Sequence, residues 1–362
     1  IGNPPWGYEF SKEEKSELHT LFKSASRKNI ESYDVFIEQA LNHLASNGHL
    51  TYVLPEAMLN VKAHKKIREI ILNSCSIKNL DFLGNAFDGV QCPCIILDLQ
   101  YTHSDLTTLG MNVNTGNESF TINTERKVSS EYFSFTTADD EYNVLNKIKS
   151  ISNAYFLLGN ADFALGIVTG NNKAYISDKK TDDNEMVLKG ADIRKYHINP
   201  SANYIMFKPE SFQQIAPIEM YRAREKLLYR FISNQLVFAY DDKQTLSLNS
   251  CNIIIPRIPG VKMKYVLAIL NSRIAQFIYK KDFNSVKVLR SHIENIPIPA
   301  VDNSTQDEII TLTEKLISGL EISEAEKLYD ELDTLVAKVF NLDSDEFKLI
   351  KKAVDGENKF LA

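Results

Sequence analysis

The first hundred residues alternate between helical and strand patterns of apolar positions. Residues 33–46 predict a helix, and the apolar run 49–55 predicts a buried strand that ends at Pro55. A second helix is expected over 61–74, followed by strands over 77–84 and 93–101. The expected inward positions of the helices are Phe36, Ile37, Ala40, Leu41, Leu44, Val61, Ile67, Ile70 and Ile71, with Gly48 capping the first helix. Helices that alternate with apolar strands indicate an α/β layer.

The chain changes character after these strands. Residues 102–140 are rich in Thr, Ser, Asn and Gly, which predicts short strands or hairpins leading out of the layer. A helix near 140–150 opens a region that mixes short strands with helices over 218–232 and 263–279. The alternating prolines of residues 296–300 end that region, because proline breaks regular structure.

Two more helices are expected over residues 305–340. Their apolar stripes are Ile309, Leu312, Leu316 and Leu320 on the first, and Leu328, Leu332, Leu335, Val336 and Val339 on the second. Acidic residues cover the other faces, which indicates a solvated helical hairpin. The predicted divisions of the chain are residues 1–104, 105–140, 141–300 and 301–362.

Composition narrows the class of protein. No apolar run approaches the ~18 residues that a membrane span needs, and no basic and apolar leader opens the chain. The chain does not begin with Met, so we expect a piece of a longer product. Four cysteines in 362 residues indicate reduced thiols, mostly in the core, and hence a cytoplasmic protein. Cys92 and Cys94 are too close for a usual zinc pair, and the seven histidines lack metal-site spacing, so no metal site is expected.

Charge is distributed unevenly along the chain. Residues 186–300 hold 17 Lys and Arg against 8 Asp and Glu, although the net charge of the whole chain is −6. Residues 301–362 hold 7 against 15, and residues 1–185 hold 17 against 24. A basic middle between acidic ends is compatible with a groove for nucleic acid, and ordinary surface scatter is the alternative.

The stretch IGNPPWGYEF carries the candidate chemistry. Two consecutive prolines exclude a helix and impose an extended or turn backbone. The side-chain oxygen of Asn3 and the carbonyl oxygen of Pro4 are acceptors that such an elbow can hold close together, which suits an exocyclic NH2 group. Trp6, the only tryptophan, can lie against the ring that bears the amine. The alternative is a loop-forming Pro-Pro pair beside a core tryptophan.

Asn3, Pro4, Pro5 and Trp6 resemble the NPP(Y/F/W) motif of S-adenosylmethionine-dependent amino-methyltransferases of DNA, in its Asn-first, N6-adenine version. Residues 50–59 and 77–99 look like later strands of that Rossmann-like fold. Further segments look like the target-recognition domain and C-terminal helices of TaqI-like and type IIG restriction–modification enzymes: 165–176, 188–198, 265–281 and 328–350. The resemblance implies a truncated methyltransferase half-domain, an α/β target-recognition domain and a C-terminal helical hairpin.

The same resemblance implies roles for the motif. Asn3 and Pro4 would accept hydrogen bonds from N6 of a flipped-out adenine, and Trp6 and Phe87 would stack on its faces. Pro5 completes the elbow. The cofactor would be S-adenosylmethionine, but its Gly-rich loop should precede the motif and no such loop follows it. We therefore expect the chain to be inactive alone and to need the upstream part of the same enzyme, where any nuclease would also lie.

Double-stranded DNA is the expected partner. The candidate contacts are Thr169, Gly170, Asn171, Asn172, Lys173, Arg194, Lys195, Arg222, Arg224, Arg230, Lys280 and Lys281. Each of these is individually more often an ordinary turn residue or a solvated charge. Two other functions stay open at this point: a DNA-recognition subunit without its own catalysis, and a binding protein unrelated to DNA.

Overall fold

The computed structural model describes residues 1–89, 91–283 and 285–355. The chain folds into two compact units, which divide between Tyr142 and Asn143. Each unit is described by itself below. The four-part division expected from the sequence remains a prediction.

The first unit is a five-stranded sheet with helices. Its helices are α1 Lys12–Leu21, α2 Ser32–His43, α3 Ala57–Asn60 and α4 Lys65–Ser74, with a 3-10 turn at Lys62–His64. Its strands are β1 His49–Pro55, β2 Cys75–Gly84, β3 Cys94–Tyr101, β4 Asn112–Asn114 and β5 Ser119–Thr121. The sheet order is β1-β3-β2-β4-β5, and β3 runs antiparallel to both of its neighbours. Helix α5, Asp139–Lys149, begins in this unit and continues into the second.

The core of the first unit lies on one face of this sheet. Ile95, Leu97 and Leu99 alternate along β3 and are almost fully buried, as the two-residue repeat of a strand requires. Ile37 and Leu41 of α2 and residues of α4 pack into the same cluster. The predicted strands are therefore confirmed, with β1 at the expected bounds.

Two expected inward positions of this unit are wrong. Phe36 is 44% exposed, because α2 turns Tyr33, Ile37 and Leu41 toward the sheet and leaves position 36 on the flank. Val61 is 45% exposed, because α4 begins only at Lys65.

The structure also differs from the sequence-based expectations at the end of α2 and at the hairpin after β3. Helix α2 ends before Gly48, and Asn47 takes the left-handed conformation with a φ of 63°. The hairpin β4–β5 extends the sheet through parallel pairing of β4 with β2, where the sequence indicated a hairpin that leaves it.

The second unit contains three small sheets and a set of helices. Its strands are β6 Ala154–Tyr155, β7 Ala161–Ala164, β8 Ile176–Ser177, β9 Glu185–Leu188, β10 Tyr204–Ile205, β11 Lys226–Arg230, β12 Phe238–Asp241, β13 Leu246–Ser247, β14 Cys251–Pro256 and β15 Ile298–Pro299. Its helices are α6 Asn172–Tyr175, α7 Ile218–Tyr221, α8 Met263–Asn271, α9 Arg273–Asp282, α10 Arg290–Ile293, α11 Asn303–Ile317, α12 Ile322–Val339 and α13 Ser344–Val354, with 3-10 turns at Gly190–Asp192 and Pro209–Ser211. The sheet orders are β13-β9-β10-β8, β12-β11-β14-β7 and β15-β6.

A single core joins these elements. Helix α8 is buried along almost its whole length and lies against the β12-β11-β14-β7 sheet. The C-terminal helices add Leu312, Leu332 and Ile350 to the same cluster. The two C-terminal helices expected over 305–340 are confirmed, but their apolar stripes are part of the core. Helix α13 is a third helix, beyond the two that the apolar periodicity predicted.

The expected helix over 218–232 is wrong. Only Ile218–Tyr221 is helical, and the chain then forms strand β11. Lys226, at the start of that strand, is fully buried with its Nζ 2.5 Å from a carboxylate oxygen of Asp241. The expected helix over 263–279 is interrupted at Ser272, whose Oγ accepts a hydrogen bond from Ala275 N and begins a second helix.

Gly166 sits where two backbone segments come close. A β-carbon there would lie 2.2 Å from the Leu248 carbonyl oxygen and 2.7 Å from that of Cys251. We predict that Gly166→Ala lowers the free energy of unfolding by about 3 kcal/mol, because backbone atoms cannot move aside. The measurement is denaturant unfolding. Gly260→Ala is the control, since it meets nothing within 4 Å and carries only the left-handed strain of about 1 kcal/mol. Equal losses would contradict the close approach.

Buried His292 makes stability depend on pH. Its ring stacks on Phe283 at 4.2 Å, and its Nδ1 accepts a hydrogen bond from Leu289 N. Burial lowers the pKa of His292, so below about pH 6.5 the unfolded chain binds a proton that the folded chain does not. Stability should therefore fall as pH drops from 7 to 5, by at most about 1.4 kcal/mol per pH unit from this group. Urea unfolding of His292→Gln at several pH values should show a shallower dependence of stability on pH than the wild type, while the exposed, non-titrating Asn42→Ala should leave that dependence unchanged.

Candidate functional site

The first residues of the chain lie along strand β1. Gly2 N donates to Thr51 O at 3.0 Å, and Val53 N donates to Gly2 O at 3.1 Å, which makes a parallel bridge at Tyr52. A β-carbon on Gly2 would come within 3.0 Å of the Tyr52 ring. Asn3 therefore emerges at the same sheet edge as the carboxyl end of β1, where open α/β sheets bind ligands.

The two prolines are held from the side. Pro4 is buried, and the Ser32 hydroxyl donates to the Pro5 carbonyl oxygen at 2.5 Å. Asn3 is exposed, and among the described residues no hydrogen bond reaches its side chain or the Pro4 carbonyl oxygen. The elbow thus presents the two acceptors that the sequence singled out, while its third oxygen is occupied by Ser32.

Ser32 belongs to a buried polar cluster at the start of α2. The Nδ1–H of His64 donates to both carboxylate oxygens of Asp34 at 3.0 Å, and the Tyr33 hydroxyl donates to His64 Nε2 at 2.8 Å. Burial raises the pKa of Asp34, and the contact with His64 opposes that rise. The cluster fixes the first turn of α2 against the 3-10 turn before α4. The polar start of α2 was the signal for it, but the distant His64 could not be paired from sequence.

Trp6 and Phe87 lie next to each other. Their ring centroids are 5.6 Å apart at an angle of 74°, an edge-to-face contact. Trp6 is half-buried against the core of the first unit, whereas Phe87 is 40% exposed. A base between two parallel rings needs two stacking spacings of roughly 3.4 Å each, about 7 Å in total. Simultaneous stacking on both faces therefore requires Phe87 to turn away from Trp6.

The candidate DNA contacts differ in exposure. Gly170 and Asn171 are exposed in a turn where Gly170 has a φ of 78°, and Lys173 is exposed in helix α6, which follows this turn. Arg224 is exposed after α7. Arg194 is half-buried, with one hydrogen bond to the Ala191 carbonyl. These residues are available to a ligand as the structure stands.

Other candidates are engaged inside the protein. Lys195 is 2% exposed, with its Nζ 3.3 Å from Asn271 O and 3.2 Å from the Tyr329 hydroxyl, and its contact with DNA stays a prediction. Thr169 is also buried and donates to the side chain of Asn172.

The remaining basic candidates are half-buried and hold neighbouring groups. Arg222 pairs with both carboxylate oxygens of Glu185, and Lys280 donates to the Ala353 carbonyl. Arg230 donates to the backbone carbonyls of residues 190 and 193, and Lys281 lies over the ring of Phe277. These side chains support the fold as well as facing its surface.

Two family models match the chain. Residues 1–87 match the Eco57I restriction-modification methylase, and residues 185–298 match the TaqI-like C-terminal specificity domain. Together the two matches give the class of protein that the chain is similar to, restriction-modification methylases with a specificity domain.

Particular relatives agree with that class. Over 195 residues the chain is 30% identical to the Type II methyltransferase M.VspI of Vibrio sp. (strain 343). These residues make up 53% of this chain and 47% of that protein. Over 213 residues it is 25% identical to the Type II restriction enzyme and methyltransferase RM.Eco57I of Escherichia coli, covering 55% of this chain and 21% of the other. The chain spans about half or less of the length of these curated relatives.

A solved structure shares the fold. The Type IIL restriction-modification enzyme MmeI, solved in complex with DNA, superposes with a TM-score of 0.51 over 98% of this chain and 57% of its own, at 12% identity. The mixed α/β class expected from the sequence is confirmed. Within the described ranges, helices are too short or too polar to cross a bilayer, and no three His, Cys, Asp or Glu side chains converge as a metal site.

We predict that Ser32→Ala loosens the elbow. Loss of the hydrogen bond to Pro5 should lower the free energy of unfolding by about 1 kcal/mol and let the Trp6 ring reach solvent. Because Trp6 is the only tryptophan, its fluorescence reports this change alone and should shift to longer wavelength. Ser74→Ala, which removes a hydroxyl bonded to Ile70 O, is the matched control. An unchanged Trp6 spectrum would mean that other contacts suffice to hold the elbow.

Proposed function

We propose that this chain is the base-holding and DNA-recognising part of a site-specific methyltransferase that transfers a methyl group from S-adenosylmethionine to N6 of adenine in DNA. The observation that carries the proposal is the geometry of the elbow. Asn3 and Pro4 leave a strand at the ligand-binding edge of an α/β sheet with two acceptors free. The match of residues 1–87 to a restriction-modification methylase family supports the same assignment.

The elbow suits an amine that is bonded to an aromatic ring. Asn3 Oδ1 and the Pro4 carbonyl oxygen accept one N–H each, which fixes the amine and orients its lone pair away from the backbone. A base inside a duplex hides this amine, so it must be flipped out before the acceptors can reach it. Trp6 then supplies one face for stacking, which contributes ~1–3 kcal/mol per base. The protein's part in catalysis is positioning.

No Gly-rich cofactor loop follows strand β1 in the part of the chain that the structure describes. Strand β1 runs into α3 through Pro55 and Glu56, without the glycines that let a backbone approach a nucleotide closely. No residue here is therefore assigned to S-adenosylmethionine, which would supply the methyl group when bound elsewhere in the enzyme. We infer that the 362-residue chain transfers no methyl group by itself and acts together with an upstream part of the same protein.

The second unit would deliver the adenine. Its match to a TaqI-like specificity domain and the surplus of basic residues over 186–300 support recognition of double-stranded DNA. The four free cysteines, three of them buried, fit a reducing cytoplasm, where a restriction–modification enzyme would meet DNA.

Methyl transfer is the test. The parent protein, with residues upstream of this sequence restored, is incubated with labelled S-adenosylmethionine and mixed duplex DNA, and the product nucleoside is identified. We expect N6-methyladenine, and we expect Asn3→Ala to lower the rate about 100-fold because the amine loses its positioning. Asn42→Ala, an exposed position on α2, is the matched control.

Each other outcome is decisive. Methylation of cytosine would overturn the choice of base. Sequence-specific DNA binding without methylation, under conditions where the cofactor is bound, would overturn catalysis in favour of a recognition subunit. Full activity of Asn3→Ala would remove the elbow from the reaction.

A further inference from the structure

A short two-stranded ribbon projects beyond strand β11. Ser233 N donates to Val286 O at 2.9 Å, and Val288 N donates to Phe231 O at 2.8 Å. These bonds flank an antiparallel bridge between Ile232 and Lys287. The pair between two such hydrogen bonds places its side chains close together on one face of the ribbon.

In a strand every second side chain points to the same face, so each of the two paired segments adds one more residue to the face of Ile232 and Lys287. Arg230 lies two positions before Ile232, and Leu289 lies two positions after Lys287. We call these four residues the ribbon face. Val288, on the opposite side, is buried in the core of the unit, so the orientation of the ribbon is fixed.

The ribbon face is apolar and basic at the same time. Ile232 is 53% exposed and Leu289 is 42% exposed, which is unusual for neighbouring large aliphatic side chains. Lys287 is exposed and has no carboxylate within ion-pair distance in the described part of the chain. Arg230 is held by two backbone carbonyl oxygens, at 3.0 Å and 2.6 Å.

The surroundings add positive charge. The guanidinium of Arg194 lies close enough to lower the pKa of Arg230 further after burial has lowered it. Two like charges held together without a carboxylate favour an anion between them. Asp192, two residues before Arg194, accepts a hydrogen bond from Lys189 N, and Glu294, the first acid in the chain after the ribbon, is paired with Arg290.

We propose that the ribbon face enters the major groove of duplex DNA and reads thymine-containing base pairs there. The inference rests on the proposed DNA-recognition function and names which surface performs it. The major groove is wide enough for a two-stranded ribbon, whose strands are ~4.8 Å apart. Ile232 and Leu289 contact the methyl groups of thymine, while Lys287, Arg230 and Arg194 contact phosphates or guanine.

Charge argues for DNA over another protein surface. The ribbon face alternates aliphatic side chains with cations that have no carboxylate partner. Such a face matches a groove that is lined by thymine methyl groups between rows of phosphates. A second copy of this chain, whose net charge is −6, would offer the cations a partner but no regular array of methyl groups. Self-association is therefore an outcome that the test must separate.

The test uses the 362-residue chain and a pool of duplexes with a randomised centre. Bound duplexes are sequenced to find the preferred site, and affinity is then measured at several salt concentrations. Lys287→Ala should weaken binding to all sequences and reduce the salt slope by about 1. The double variant Ile232→Ala with Leu289→Ala should bind the preferred site about tenfold more weakly and lose its preference for thymine at defined positions.

A change in the DNA tests the contact without altering the protein. Replacing a preferred thymine by deoxyuridine removes one methyl group and should weaken binding by the wild type about fourfold. The same replacement should have no effect on the double variant. Ile322→Ala and Lys338→Ala, an exposed aliphatic and an exposed cation on α12, are the matched controls.

The outcomes distinguish this inference from the proposed function. Sequence-specific binding that is unaffected by deoxyuridine and by the three substitutions overturns the ribbon face and leaves DNA recognition intact. Concentration-dependent self-association that Ile232→Ala abolishes also overturns it, in favour of a second copy. No binding to any duplex overturns both. Binding through the ribbon face without methyl transfer by the parent protein supports this inference and overturns only the catalytic proposal.

Discussion

The candidate site depends on how two consecutive prolines, which have no N–H to donate, are held in place. Proline has no N–H, so residues 4 and 5 cannot continue the pairing that Gly2 makes with β1, and the chain must leave the sheet there. Only carbonyl oxygens remain to orient it. Ser32 binds one of them, and the Tyr33–His64–Asp34 cluster holds the helix turn that carries Ser32. The free acceptors of Asn3 and Pro4 are thus positioned by groups more than twenty residues away.

In the second unit, ion pairs between basic and acidic parts of the chain hold the C-terminal helices against the core. Part of the basic surplus of residues 186–300 pairs with the acidic C-terminal helices: Lys264 with Glu314 at 2.6 Å, and Lys262 with Asp307. Arg273 binds the buried Asp333 at 2.8 Å and Asp355 at the end of α13. These pairs dock the helices on the core. The positive charge that remains for the proposed DNA contact is therefore smaller than the sequence count indicates.

The sequence predicted correctly those helices and strands whose apolar pattern lies within the element itself. Strands β1 to β3 and helices α11 and α12 follow apolar periodicity, so their positions were visible in the sequence. Short strands that are stabilised by partners distant in the chain could not be predicted from the sequence. Strand β11 depends on pairing with β12 and β14 and on the buried Lys226–Asp241 pair, none of which a window around residues 218–232 contains. The burial of Lys195 has the same cause, because its partners come from α8 and α12.

The motif of residues 3–6 could be recognised from the sequence because its chemistry lies in four consecutive residues. The contact with Phe87, which adds the second aromatic ring, could not. The elbow and its two acceptors follow from four consecutive residues. The spacing of Trp6 and Phe87 does not, since eighty residues separate them in the chain. Their edge-to-face contact leaves too little room for a base, yet Phe87 is exposed and has few neighbours to lose on turning. Entry of a base would exchange one aromatic contact for a stacked one, so the closed arrangement opposes base binding only weakly. In the proposed reaction such a site would discriminate through the acceptors of Asn3 and Pro4, which an amine satisfies and a carbonyl oxygen does not.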